Sequence, residues 1–415
     1  MSDHSPATTP DAVAPDAGLA ALADQCVMCG LCLPHCPTYR LDAIEAESPR
    51  GRIALAKALA IGALQPGPGM LEHLDHCLGC LSCQKVCPSQ VQYEPLLART
   101  RALLAGRRPA PTRLRRWLRD PRRLTGLARI GAALGAGRWM PALAGWLPKG
   151  SIVRRLAETQ PDLPRAIRLP ASTSAAAPSG RVALFRGCVA SVYDHDTLAA
   201  ARHLLEALGH EVVELPGGHC CGALPRHQGD IGSADAQAAA TREALNAIDG
   251  ADTVLGCASG CHGDLRDHVA AGTSLRVADC LAFIAADPGF ASLRFRPLAA
   301  RAALHLPCTQ VNVVGGGNAI GAMLARIPEL VVLALPEQPR CCGAAGSYFI
   351  EQPAFADRLR DEKLDQADAL APDLLLTTNI GCRIHLGNGL RQRAAHVPVR
   401  HPLALLAEQL DTDAP

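Results

Sequence analysis

Aromatic side chains are scarce in this sequence, with 6 Phe, 4 Tyr and 3 Trp among 415 residues. A surface that stacks bases is built from such rings, and a formal net charge of +2 offers nucleic acid no general attraction. No nucleic-acid partner is expected. No uninterrupted apolar run reaches about 18 residues, the length a spanning helix needs, so membrane contact is expected only at the periphery. The opening MSDHSPATTPDAVAPDAG has neither the basic nor the apolar region of a secretory signal. The thiols are therefore expected to stay reduced in the cytoplasm, which disfavours a disulfide framework. A dinucleotide fingerprint is also missing: in GGGNAIG, Gly315 to Gly321, Ile320 stands where the last glycine should be, and no strand directly precedes it. Hydride chemistry belongs to a cofactor, and the sequence shows no site for one.

Cysteine is what the chain has in quantity, with 18 residues. Eight lie in two runs, CVMCGLCLPHCP from Cys26 to Pro37 and CLGCLSCQKVCP from Cys77 to Pro88. Each is C-x2-C-x2-C-x3-C-P, the ligand run of two-cluster bacterial ferredoxins. Three close thiolates hold three irons of a 4Fe–4S cube, and the fourth, followed by proline, serves the other cube. Cys26, Cys29 and Cys32 with Cys87 are thus expected to hold one cluster, and Cys77, Cys80 and Cys83 with Cys36 the second. Structural zinc knuckles are the alternative, but two full four-cysteine runs exceed what zinc uses.

Length alone suggests two to three domains. Residues 1–18, rich in Ala, Pro, Asp, Ser and Thr, read as a mobile leader. Residues 19–106 read as a helical ferredoxin domain. Between its cysteine runs, Ser48 can cap a helix that starts at Pro49, continues through RIALAKALAIGAL and ends at PGPG, Pro66 to Gly69. MLEHLDHC then begins a second helix. Arg50 and Arg52 read equally as groups facing a cluster or partner and as solvated first-turn arginines. From Arg99 to Arg168, 17 Lys plus Arg face only Asp120, Glu158 and Asp162, and all three tryptophans, Trp117, Trp139 and Trp146, fall there. This connecting segment, 107–180 with its linker, suits an anionic membrane surface or an acidic partner. A packed helical layer with solvated arginines is the alternative.

An internal repeat follows. Cys188, Cys220-Cys221-Gly222 and Cys261 recur as Cys308, Cys341-Cys342-Gly343 and Cys382, with intervals of 32 and 33, then 40 and 40. Each copy, 181–299 and 300–410, reads strand, helix, strand, Cys-Cys-Gly, helix, strand, which points to a parallel sheet with helices on its faces. The cysteines then lie beyond the carboxyl ends of strands, where open α/β sheets place ligands. Gly222 and Gly343 allow a tight turn beside them. Adjacent cysteines with two more at fixed distances suit soft-metal ligation better than core filling. One cluster per copy, one shared cluster and a partner's cofactor remain alternatives. Cys280 reads as core and Cys257 stays open. His219 and His305 read as packed or solvent-exposed, with ligation or proton carriage as the alternative. The fold class is α+β multidomain: a mainly helical two-cluster ferredoxin module, then two repeated α/β Cys-Cys-Gly domains.

With these motifs, and with CPTYRL (Cys36 to Leu41), PRGRI (Pro49 to Ile53), EHLDHCLGC (Glu72 to Cys80), CCGAAGSY (Cys341 to Tyr348) and TNIGCRIHL (Thr378 to Leu386), the chain resembles iron–sulfur subunits of bacterial glycolate oxidase from Ala23 to about Leu410. The resemblance implies an electron-transfer subunit that carries two 4Fe–4S clusters. Flavin-containing partner subunits would hold FAD, oxidise glycolate to glyoxylate and send electrons through this chain towards a quinone. The protein is expected in the cytoplasm, with peripheral contact on the inner membrane face through the basic segment as an alternative. The equivalent subunit for D-lactate or glycerol-3-phosphate, or a heterodisulfide or thiol reductase, is the alternative. Domains of the heterodisulfide reductase type end in C-x2-C, whereas here Ala258 and Asn379 replace the first cysteine. Cys257 would have to compensate, which puts a five-thiolate cluster and disulfide chemistry in doubt.

Overall fold

The computed structural model describes residues 14–107, 120–161, 167–170, 179–215, 218–337 and 340–411. They form two compact units, one from the residues up to 107 together with His227–Asp230, the other from the remainder.

The first unit is helical. Asp16 caps the helix Ala17–Asp24, accepting from the Leu19 N–H at 3.0 Å, and this helix packs on Pro49–Ala60. Helix thus begins inside the last two residues of the expected leader, of which 1–13 lie outside the described residues. Ser48 caps Pro49–Ala60 as its sequence predicts, its hydroxyl accepting from the Gly51 N–H at 2.9 Å. That helix ends earlier than expected. Gly62 sits at φ +73°, a conformation side chains resist, and turns the chain soon after Ala60. PGPG therefore does not end that helix; its Pro68 opens the next one, Pro68–Asp75. Leu59, Met70, Leu74 and Leu104 close a small core between these helices.

The second unit carries two four-stranded sheets. The first comprises β1 (Gly180–Phe185), β2 (His210–Glu214), β3 (Thr253–Gly256) and β4 (Arg276–Asp279), ordered β2-β1-β3-β4. The second comprises β5 (Ala300–His305), β6 (Leu330–Ala334), β7 (Leu374–Thr377) and β8 (Val399–Arg400), ordered β6-β5-β7-β8. All pairings are parallel, and the inner strands β3 and β7 are buried throughout, as sheets covered on both faces require. The edge strands β4 and β8 were not in the predicted order; they are short and half-buried, with little apolar signal.

One apolar core, including Leu204, Leu255, Leu304, Leu324, Leu376 and Leu406, joins the two copies. They also exchange helices. Pro402–Gln409 of the second copy packs on His195–Ala207 of the first, while Cys280–Ala286 of the first packs on Gly317–Leu324 of the second. The cap of the exchanged helix, His401, reaches the Cys257 carbonyl at 3.1 Å.

The basic segment contributes helices Pro121–Ala133, Ala136–Leu143 and Ile152–Glu158. Arg155 is buried, not solvated: it grips the Asp357 carboxylate with two bonds of 3.0 and 2.6 Å and donates to the Phe349 carbonyl at 2.8 Å. Other side chains here face outward, among them Ile130, Leu134, Trp139, Leu143 and Trp146, the last 89% exposed. Trp117 lies outside the described residues.

Candidate metal centres

In the first unit the two cysteine loops turn through left-handed backbone at Met28, Gly30, Gly79 and Leu81. Left-handed turns of this kind build the backbone concavities that suit anionic groups. Two adjoining cavities result. One, about 420 Å³ with open solvent included, is lined by Cys26, Cys29, Cys32 and Cys87. The other, about 310 Å³ on the same basis, is lined by Cys36, Cys77, Cys80 and Cys83. Cys83, Pro49 and Tyr93 line both. No three of these eight sulfurs lie within 4.8 Å of one another, a wider spacing than the ligands of a single tetrahedral ion adopt. The thiol chemistry and the spacing both fit iron–sulfur clusters.

Arg52 closes one wall of the second cavity. It is 1% exposed, and its guanidinium pairs with the Glu47 carboxylate, donates to Thr38 Oγ1 at 3.0 Å and stands 3.8 Å from Cys36 Sγ. Burial works against its charge, but Cys77, Tyr93, Cys36 and Glu47 outweigh that and raise its pKa. Glu47 in turn meets His73 Nδ1 at 2.6 Å and His76 Nδ1 at 2.7 Å. Burial pushes its carboxyl up, yet the bonds to His76 and His73 and the charge of Arg52 prevail and hold it below the usual range. Burial raises the Cys83 thiol well above normal, as it does Cys32 more modestly, so both favour the protonated form until a metal takes the proton's place. Arg50 is half-exposed and meets Glu45 and the Met28 carbonyl. Of the two guanidinium groups, that of Arg52 stands beside a cysteine sulfur, while Arg50 meets Cys32 through its backbone N–H.

In the second unit every predicted cysteine follows a strand end. Gly222 and Gly343 adopt φ +91° and +87°, and a Cβ on Gly222 would stand 2.7 Å from the Ala234 carbonyl oxygen, so only glycine fits that turn. In the first copy Cys188 and Cys220 sulfurs are 3.8 Å apart, and Cys221 bonds to both Cys220 and Cys261, giving a connected line of four thiols. In the second copy Cys342 and Cys382 approach to 3.1 Å, and Cys341 is close enough for its charge to act on Cys382. Cys308 is buried just beyond β5. His219 is half-buried, and burial lowers its pKa.

Cys257 does not join the Cys261 line. It packs with Cys280 in the core that joins the copies, a different cluster from that of Cys221 and Cys261, and the Cys280 contact and burial drive its thiol up. It cannot stand in for the cysteine that Ala258 replaces. Asn379, at the matching place, caps the helix Ile380–Gln392 by accepting from the Gly381 N–H at 2.8 Å, and its amide donates to Thr309 and Ser259 hydroxyls at 3.2 and 3.4 Å. Asn379 thus serves the junction between copies. Beside Cys382, Arg383 pairs with Asp194 and, at 2.7 Å, with Asp196.

Sequence reasoning left Arg52 and His305 open between two readings each. Arg52 carried a hint, since a cation at a helix N-terminus opposes the macrodipole and needs another reason to be there. His305 carried one too. Superposing the copies at an offset of 120 sets this histidine against Phe185, a polar ring at the end of an apolar strand.

Comparison with known proteins agrees with this layout. The 4Fe–4S dicluster domain model matches residues 22–91, and the cysteine-rich domain model matches 182–266 and 302–387. The "Glycolate oxidase iron-sulfur subunit" of Escherichia coli (strain K12) is 29% identical over 426 residues, covering 94% of each chain. The "Probable glycolate oxidase iron-sulfur subunit" of Bacillus subtilis (strain 168) is 30% identical over 420 residues, covering 92% of this chain and 93% of that one. "Lactate utilization protein A" of Geobacillus sp. (strain WCH70) is 23% identical over 232 residues, 53% of this chain and 96% of its own.

Proposed function

Because the chain belongs to the family of glycolate oxidase iron–sulfur subunits, we propose that it accepts electrons from a flavin-bearing partner that oxidises glycolate to glyoxylate, and delivers them towards a quinone. The observation that carries this reading is the pair of adjoining thiol-lined cavities with shared walls. We assign one 4Fe–4S cluster to Cys26, Cys29, Cys32 and Cys87, and one to Cys36, Cys77, Cys80 and Cys83. Such clusters supply one-electron transfer at a potential set by burial and by hydrogen bonds to sulfur. The chain supplies those settings: Tyr93 and Ile53 shield the walls, and Arg52 places a fixed positive charge beside Cys36. FAD belongs to the partner in this reading, and the isolated chain only transfers electrons.

The test is anaerobic purification of the tagged chain from its native host, with iron, sulfide and flavin assayed. About eight irons, a flavin-containing partner and bleaching of the clusters on adding glycolate are expected. A flavin-free chain whose clusters stay oxidised with glycolate overturns the assignment; bleaching by D-lactate alone moves the substrate.

The same reading places the quinone end at a membrane. Exposed Ile130, Leu134, Trp139, Leu143 and Trp146, in a segment that also exposes Arg122, Arg123, Arg129 and Arg138, give it the mixed apolar and basic chemistry of an interfacial surface. The full chain should float with phosphatidylglycerol vesicles but not with phosphatidylcholine vesicles, and the double substitution Trp139→Ala, Trp146→Ala should cut the bound fraction several-fold. Unchanged flotation of that variant, or binding regardless of lipid charge, would assign this segment to a protein partner.

A further inference from the structure

The two Cys-Cys-Gly copies differ at one strand end. β1 closes on Phe185, three residues before Cys188, and that ring packs into the first copy's core. β5 closes on His305, three residues before Cys308. This imidazole is fully buried, and neither ring nitrogen has a hydrogen-bond partner among the described residues. A buried polar ring left so is costly unless something else satisfies it. What lies beside it is sulfur: one ligand atom each from His305, Cys342 and Cys382 falls within 4.8 Å of the others.

We propose that His305, Cys342 and Cys382 hold a single divalent ion of borderline softness, zinc in the first instance, and that Cys341, which stands outside this compact triple, closes in as the fourth donor. Size argues for one ion. With Zn–S near 2.3 Å and Zn–N near 2.1 Å, tetrahedral ligand atoms stand roughly 3.4–3.8 Å apart. Thiolates bound to different irons of a cube stand farther apart, and the eight ferredoxin-type cysteines of this same chain provide the comparison, since they contain no such compact triple. The donor set argues likewise, because thiolates with an imidazole are a zinc combination.

Charge completes the site. Lys363, 2% exposed, acts on both His305 and Cys342. Neutral imidazole and thiolate are the forms that bind metal. Three thiolates around a dication leave one negative charge, which the Lys363 ammonium offsets. The first copy, with Phe185 and its extended line of thiols, offers no equivalent. The inference does not depend on which substrate the complex oxidises.

The experiment uses the full chain, purified anaerobically with its clusters. Metal analysis should find about one zinc per chain beyond the iron of the two ferredoxin-type clusters. His305→Phe, which copies the first repeat, should weaken zinc retention by more than the roughly 10- to 100-fold that losing an outer-shell partner costs, while leaving the electron paramagnetic resonance of the reduced clusters unchanged. His305→Cys keeps a donor and should keep the metal. Cobalt(II) in place of zinc should show tetrahedral d–d and thiolate charge-transfer bands that differ between wild type and His305→Cys. Four extra irons with matching sulfide and no zinc would overturn the proposal in favour of a third cluster. A metal-free chain with a Cys342–Cys382 disulfide would overturn it too, as would zinc retained by His305→Phe with wild-type affinity.

Discussion

Arg52→Ala should destabilise the first unit by about 3–5 kcal/mol, the usual cost of stripping one partner from a buried ion pair. Both side chains of that pair are nearly inaccessible, at 1% and 2%. Without the guanidinium, the Glu47 carboxylate remains buried with only the two histidines, and Thr38 loses its donor. The measurement is the denaturant midpoint of the full chain, followed through cluster absorbance. Arg52→Lys keeps the charge but not the planar fork that spans Glu47 and Thr38, so it should recover part of the loss. Acid provides an independent check. A carboxyl held below its ordinary value contributes stability that is complete above the unfolded pKa, near 4.5, and is lost as pH falls through the lower folded value. Glu47→Gln should therefore flatten the acid limb of the stability curve. A loss below about 1 kcal/mol for Arg52→Ala would place the pair among exposed salt bridges in energetic terms, against its burial.

Cys36→Ala should reduce iron from about eight to about four per chain and stop electron delivery. Its informative readout is which cluster survives. Cys36 lines the cavity of Cys77, Cys80 and Cys83, although it is encoded beside Cys32. The resonance left in Cys36→Ala should therefore match that of Cys80→Ala and differ from that of Cys87→Ala, which should match Cys29→Ala. The reverse matching would show that each sequence run serves its own cluster.

Local chemistry made much of this molecule legible beforehand. Ser48 and Pro49 announce a helix because a cap and a φ-restricted first residue need only their immediate neighbours. The equal interval of 40 from Cys221 to Cys261 and from Cys342 to Cys382 disclosed two matching sheets, since a fixed spacing reflects a fixed strand–helix path. What stayed hidden depends on distant partners. The Arg52 site draws on His73 and His76, whose helix folds back from more than twenty residues away. The helix exchange, and with it the burial of Cys257 under His401, joins residues 144 apart. Gly62 was overlooked for a different reason: a single glycine competes poorly for notice with a following PGPG, though its backbone conformation makes the turn.

The exchanged helices bear on how the chain is born. Ribosomes deliver roughly 5–20 residues per second, N-terminus first. The stripe of Leu198, Ala201 and Leu205 on His195–Ala207 is covered by Pro402–Gln409, encoded about 195 residues later, so by that rate it waits roughly 10–40 s for its cover. During translation the first repeat is an open-sided intermediate whose greasy seam is sealed by turns that emerge much later. A nascent chain halted before Pro402 leaves that seam bare.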